Sequence, residues 1–303
     1  MKNIIITGAT GLIANRLISL LIKNEEYTLF LISNSIEKCQ AQYVGYGNIN
    51  CFTLKQFTEK YSYSEKEFDT VIHTAFARQT TGNLLTDSLN YTRKVLELAQ
   101  TIRLKRFINI SSQGVYGNRG NPPYTENAEP DPADMYAMAK CAQEILVDSS
   151  LHNTGLIHTN ARICSVCSVC DNARFMNIFC QKVFMREPIT ITAEKQQIAF
   201  IDIEDIAEAI YILLCDSSGE PWEKVYNICT NENSTIGKVA ELIKQVAEET
   251  YNIPVELVYK ESNCAQRVGM SADRFMKRFG WKPRFGYKEM IEHLFEHFAK
   301  EPR

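Results

Sequence analysis

Tyr136 and Lys140 stand four residues apart in the string YAMAK. On a helix that spacing is one turn, about 6 Å of rise, so a phenol and an ammonium would share one face. An ammonium beside a phenol favours the deprotonated oxygen, and such a pair can trade a proton near neutral pH. A second string, TGATGLIA at residues 7–14, sets Gly8 and Gly11 directly after an apolar strand and at the mouth of a helix. Backbone N–H groups of Gly8, Gly11, Leu12 and Ile13 can approach a pyrophosphate there, and the helix dipole favours its charge. Ala14 is the small residue that lets helix pack on strand. The two strings together imply a proton moved by tyrosine while a hydride moves to or from nicotinamide.

The elements that must position these residues follow from periodicity. Ile4 to Ile6 form a continuous apolar run, as in a parallel strand covered on both faces. The pattern predicts a helix over about 11–23, a strand over 29–32, a strand over 70–73, a helix over 84–103 and a strand over 107–110. That last strand runs into Ser111 and Ser112. Ser112 thus falls past a strand's C-terminal end, where ligands bind in open parallel sheets, and its hydroxyl can meet a reacting carbonyl or hydroxyl oxygen. Residues 117–134 read as a loop, with Asp134 placed to cap the helix carrying Tyr136 and Lys140. A strand follows at 156–162, and helices are expected at 173–186, 204–214, 235–250 and 287–299. The acidic residues Asp202, Glu204 and Asp205 suit a helix start. Residues 40–66 hold a short strand and helix with no clear boundaries. The alternation implies an α/β fold, a Rossmann-type doubly wound parallel sheet with a smaller C-terminal lobe.

Bulk properties narrow the partners. The chain has 303 residues, 45% hydrophobic and 23% charged, enough for a full core. A net charge of −3 argues against a nucleic-acid partner attracted by bulk charge. No apolar run approaches the roughly 20 residues that span a bilayer. The opening MKNIIITG meets its glycine turn too early for a signal peptide and reads as the first strand. Ten irregularly spaced cysteines suggest free thiols in a reducing cytoplasm. Three of them, Cys164, Cys167 and Cys170, have a metal-like spacing, but no fourth ligand accompanies them, and small buried thiols are the simpler reading, so no metal is expected.

The cofactor's adenosine end is read from Ser33-Asn34-Ser35, at the end of the second strand. A carboxylate there would bind the ribose 2′-OH and repel a 2′-phosphate. None is present, which favours NADP over NAD, although Ser33 and Asn34 also suit a plain turn.

With these motifs quoted, the chain resembles an extended short-chain dehydrogenase/reductase of the NAD(P)-dependent nucleotide-sugar epimerase/dehydratase family. The matching stretches, in order, are TGATGLIANRL, FDTVIHTA, Asn90, INISSQGVYG, YAMAK, FIDIEDIA, KVYNICT and ADRFMKRFGWKP. The resemblance implies a dinucleotide domain over 1–165, joined by a later strand and helix from about 195–230, and a substrate lobe mainly over 166–303. It implies Tyr136 as acid/base, Lys140 as ribose ligand and tyrosine tuner, and Ser112 as substrate-oxygen ligand. Thr74, Ala75 and Asn90 fall near the cofactor, with His73 packing beside it. Ser165 and Arg267 fall to the substrate's phosphates. A nucleotide-sugar substrate, a cytoplasmic location and a homodimer complete the implied picture.

Departures from the family pattern shape the activity expected. The dehydratases' Asp-Glu pair after the serine is Gln113-Gly114 here, which removes the acid and base for eliminating water. Ser165 replaces an asparagine, Ile198 an arginine, and Met270 an acidic residue that commonly follows Arg267. The expectation is a 4-epimerase or keto-sugar reductase. The alternatives are a reductase of a small carbonyl compound and a non-catalytic dinucleotide-binding redox sensor.

Overall fold

The computed structural model describes residues 1–78, 81–260 and 268–300. The chain alternates β1 (Lys2–Thr7), α1 (Leu12–Leu21), β2 (Tyr27–Ile32), α2 (Ile36–Gln42), β3 (Ile49–Phe52), α3 (Leu54–Tyr61) and β4 (Glu67–His73). It continues through α4 (Gly82–Thr101), β5 (Arg103–Ser112), α5 (Met135–Leu151), β6 (Ile157–Ile163), β7 (Ser165–Cys167), α6 (Phe175–Phe184), β8 (Ile189–Ile191) and β9 (Gln197–Asp202). The remainder is α7 (Ile203–Cys215), β10 (Val225–Ile228), β11 (Asn233–Thr235), α8 (Ile236–Tyr251), β12 (Leu257–Tyr259), α9 (Asp273–Phe279) and α10 (Tyr287–Phe298).

Among the described residues seven strands form one sheet in the order β10-β6-β5-β4-β1-β2-β3. The pairings of β1 with β2 and β4, of β2 with β3, and of β4 with β5 are parallel. The strand order reverses between β1 and β4, and a doubly wound sheet opens its ligand crevice beyond the carboxyl ends at such a point. The α/β Rossmann-type architecture read from the sequence is the one observed. Ile4, Ile5 and Ile6 are fully buried, as both-face coverage requires.

The ambiguous stretch 40–66 resolves into the end of α2, then β3 and α3. Its strand is only four residues long, too short for a period to show. Thr53 and Gln56 form a capping box that starts α3. Phe57 then packs among Phe30, Phe52, Tyr61 and Phe68. Helix α9 is not among the helices the periodicity predicts; at seven residues it shows less than two full turns of pattern.

The chain divides into two compact units. The first comprises Met1–Val115, Pro132–Arg162 and Ala207–Tyr226, and the second Tyr116–Asp131, Ile163–Ile206 and the chain from Asn227 onward. The second unit has its own apolar core, in which Val239, Ala240 and Ile243 of α8 join Met290, Ile291 and Leu294 of α10. Among the described residues no helix is long and apolar enough to cross a membrane, and every cysteine is an unbridged thiol.

Candidate active site

The glycine turn is built by a backbone conformation and a close approach. Gly8 has φ +68°, and a Cβ there would lie 2.8 Å from the Ala75 Cα. Only glycine accepts both conditions without strain. Thr74, after β4, donates its hydroxyl to the Thr7 carbonyl at 2.7 Å and ties the two strand ends together. Gly11 is the N-cap of α1, and no side chain caps that helix. Its first-turn N–H groups, Leu12 and Ile13 included, therefore have the orientation that suits an anion.

A cavity of about 400 Å³ opens beside this turn, lined by Gly8, Ser33, Asn34, Ala75, Phe76 and Tyr91 among others. The two adenosine-end candidates differ. Ser33 is buried, and its hydroxyl accepts from the Ser35 N–H at 3.1 Å, so it shapes the turn. Asn34 is exposed on the cavity wall. Asp87 of α4 also lines the cavity, a carboxylate that motif spacing does not reveal. Asn90 is exposed on α4, whereas Ser88 and Thr92 lie on that helix's buried face. Two residues of helix rotate a side chain by about 200°, so Asn90 and its neighbours at 88 and 92 face opposite ways.

Asp134 caps α5 by accepting from the Ala137 N–H at 2.8 Å, so Tyr136 and Lys140 fall on the first two turns of the helix. Tyr136 is half-buried and meets the Phe76 ring edge to face at 6.0 Å. The Lys140 ammonium lies 4.0 Å from the centroid of that same ring. Phe76 thus touches the tyrosine–lysine pair and lines the cavity beside the glycine turn. Lys140 is buried and donates to the Ile110 carbonyl at 2.8 Å and to the Gln143 side-chain oxygen at 3.0 Å. Burial pulls its pKa down to about 7, and the Glu144 carboxylate pulls the other way.

Ser112 is the last residue of β5, at the carboxyl end of an interior strand of the sheet. Its hydroxyl accepts from the Gly114 N–H at 3.1 Å, which turns the chain sharply. A methyl on Gly114 would lie 3.5 Å from the Ser112 Oγ and 3.4 Å from the Ala137 Cβ. That turn therefore holds Ser112 against the first turn of α5, where Tyr136 sits. The structure brings Ser112, Tyr136 and Lys140 into one neighbourhood with Gly8, Thr74 and Ala75.

The substrate-phosphate candidates are not assembled in the same way. Ser165 is half-buried at the start of β7, opposite Phe200 of β9, and Arg267 lies outside the described residues. Ile198 and Met270, which stand where the resemblance leads one to expect charges, are buried core residues at 5% and 0% exposure. Cys164 and Cys167 are buried and Cys170 exposed, and burial raises the first two thiols above their ordinary range. No three His, Cys, Asp or Glu side chains converge as a metal site among the described residues.

Several residues near the centre escaped motif reading. Gln143 and Glu144 follow Lys140 at helical spacings that share its face, a signal visible in the sequence. Phe76, Tyr91 and Thr92 carried no such signal, because contact across elements places them.

Comparison with known proteins shows the family and the fold. Residues 4–229 match the model of a family described as the NAD dependent epimerase/dehydratase family. A trifunctional UDP-glucose 4,6-dehydratase/UDP-4-keto-6-deoxy-D-glucose 3,5-epimerase/UDP-4-keto-L-rhamnose-reductase of Arabidopsis thaliana is 24% identical over 99% of this chain. The chain spans about half, 48%, of that relative's length. The crystal structure of UDP-glucuronic acid 4-epimerase from Bacillus cereus, in complex with UDP-glucuronic acid and NAD, superposes with a TM-score of 0.82 at 19% identity, covering 98% of this chain and 99% of that one. RMD from Pseudomonas aeruginosa, complexed with NADPH, superposes with a TM-score of 0.78 at 20% identity, covering 98% and 99%.

Proposed function

The chain belongs to the NAD dependent epimerase/dehydratase family, and on that premise we propose that it is a 4-epimerase or keto-sugar reductase of a nucleotide-activated sugar. The observation that carries the reading is Phe76, whose ring meets Tyr136 and the Lys140 ammonium and also lines the cavity at the glycine turn. The uncapped α1 N-terminus, the glycine forced at position 8 and the cavity beside them fit a nicotinamide dinucleotide. Such a group, when bound, supplies or takes up a hydride.

The chain's own residues carry the rest. Tyr136 gives or takes a proton at its phenol oxygen. Lys140 keeps positive charge beside it, held by the Ile110 carbonyl and the Gln143 amide. Ser112 orients the substrate oxygen. Gly8, Gly11, Leu12 and Ile13 hold the pyrophosphate through backbone N–H groups, and Ser33 and Asn34 shape the adenosine end. Gln113 and Gly114 offer no acid–base pair for removing water, which supports epimerisation or reduction over 4,6-dehydration. Ser165 and Arg267 are the proposed contacts to the sugar nucleotide.

NADP is the proposed form of the cofactor, because no carboxylate stands at 33–35. The exposed apolar side chains of α5, Met135, Met138 and Ile145, support a homodimer, testable by light scattering. The unbridged thiols support a reducing, cytoplasmic setting.

A calorimetric titration with NAD, NADH, NADP and NADPH tests the cofactor. Binding of none of them would end the proposal, and equal binding of both forms would end only the NADP preference. A panel of UDP-, GDP-, CDP- and dTDP-sugars then separates the activities. A reductase consumes reduced nicotinamide in step with product, whereas an epimerase makes product with no net change in it. The burial of Ile198 and Met270 in apolar surroundings favours one second reading, reduction of a small carbonyl compound. Turnover of such compounds, with the whole sugar panel inert, would establish it.

A further inference from the structure

Lys140 is not the end of the buried polar structure around it. Its partner Gln143 is fully buried and passes contact onward, donating its side-chain N–H to the Thr92 hydroxyl oxygen at 3.3 Å. Thr92 donates its own hydrogen to the Ser88 carbonyl at 2.9 Å. With that hydrogen committed, Thr92 can only accept from the His73 Nε2, 2.9 Å away, so His73 carries its proton on Nε2. The His73 Nδ1 then accepts from the Thr7 hydroxyl at 2.7 Å. Thr7 is the residue before Gly8. One hydrogen-bonded line therefore runs from the ammonium to the foot of the glycine turn, through α5, α4, β4 and β1.

The donor and acceptor roles along this line are mutually consistent. A fully buried amide costs free energy unless its groups are paired, and an aliphatic side chain would fill the space between α4 and α5 without that cost. His73 stays neutral, since burial and the nearby Lys140 ammonium push its pKa down to about 3. It can therefore hold this tautomer at any physiological pH. The charged and titratable groups facing Lys140 are Tyr136 and Glu144 on its own helix and His73 on β4. The Glu144 oxygens are already taken by Ser111 of β5 and Arg162 of β6. Gln143 thus accepts a hydrogen bond from the ammonium with its side-chain oxygen, beside the Ile110 carbonyl.

We propose that Gln143 is a positioning residue of the centre: its amide holds the Lys140 ammonium in place and in its charged form, and Thr92 and His73 hold the amide. This rests on the reading of Tyr136 and Lys140 given above, and it extends that reading to residues that act through Lys140.

The test reads the lysine itself. Protein labelled with ¹³C at the lysine ε-carbon is titrated by NMR without cofactor, and the Lys140 signal is identified by its loss in Lys140→Met. In Gln143→Leu the Lys140 pKa should fall by about one unit, because a hydrogen bond to the charged form is gone. In Gln143→Glu it should rise by at least as much, because a carboxylate replaces the amide oxygen. Thr92→Val should move it in the same direction as Gln143→Leu, but less. Dinucleotide affinity should weaken several-fold in Gln143→Leu and recover in part in Gln143→Glu. If Gln143→Leu fails to fold, Gln143→Met keeps the side chain's length and serves in its place. A Lys140 titration unmoved in the apolar variant, with only the melting temperature lowered, would show Gln143 to be core filling and would overturn the proposal. Unchanged dinucleotide affinity in Lys140→Met would instead overturn the reading beneath it, and the NMR shifts would still stand.

Discussion

Two buried cations, Arg162 and Lys140, belong to the first unit, and the structure treats them differently. Arg162 of β6 is gripped by Glu144, with Nε and Nη2 donating at 2.9 and 2.7 Å, and Ser111 donates to the same carboxylate. Lys140, one turn before Glu144, rests on a backbone carbonyl and an amide oxygen, both neutral. A charge paired with an opposite charge keeps its state across the physiological range. A charge on neutral acceptors in a dry place is left close to its neutral form, and burial draws the Lys140 pKa to about 7. The lesson is one of division of labour. The Arg162–Glu144 pair joins α5 to the sheet, and Lys140 is left with neutral hydrogen-bond acceptors.

The largest break in this comparison should come from the paired side. Glu144→Leu strands a buried guanidinium and should cost about 3–5 kcal/mol. Urea denaturation would show it, and adding Arg162→Met should recover most of the loss, since a buried pair can be replaced by apolar side chains far more cheaply than it can be broken. A loss below about 1 kcal/mol would mean that the pair does not anchor the helix.

Beside Lys140, Tyr136→Phe should lower turnover about 10²- to 10⁴-fold and leave dinucleotide affinity nearly unchanged. In the proposed mechanism the phenol oxygen carries the proton, while the ring's contact with Phe76 survives. Retention of most activity on the true substrate would remove tyrosine from the mechanism.

The third test separates the cations by pH. The folded-state pKa of Lys140 lies below its ordinary value of 10.5. Between about 7 and 10.5 the unfolded chain therefore holds the proton that the folded chain has lost. Stability from this group accordingly rises with pH in that window, by about 1.4 kcal/mol for each unit. The difference between wild type and Lys140→Met should open with that slope from pH 7 to 8.5, below the ordinary range of cysteine and tyrosine. A difference that is flat with pH would show Lys140 to be paired as firmly as Arg162. The smallest effect is at the head of the same helix, where Asp134→Ala removes the cap and should cost about 1 kcal/mol in thermal melts.

Much of the fold was legible because it depends on local pattern. The apolar run at Ile4–Ile6 can only be a strand covered on both sides, and Gly8 and Gly11 after it admit few backbone paths. The spacing of Tyr136 and Lys140 implied a shared helix face, and Asp134 announced where that helix starts. The stretch 40–66 was harder, because a four-residue strand and two short helices carry too few periods to read. At the adenosine end the sequence pointed to Ser33 and Asn34 alike, yet one turns inward to cap a turn and the other faces the cavity. Asn90 stood out by resemblance, and the helix phase turns it outward while Ser88 and Thr92 point in.

By itself, then, the sequence determined the sheet, the glycine turn and the spacing of the tyrosine–lysine pair, since each follows from residues within a turn or a strand of one another. Only the tertiary structure decided the company those residues keep. Phe76 reaches the tyrosine–lysine pair from the end of β4. Gln143 meets Thr92 across two helices, and His73 meets Thr7 across two strands. The protonation of Lys140 depends on how much water those neighbours exclude and which oxygens they present. Burial and partner choice are properties of the packed chain, and no spacing along the sequence encodes them.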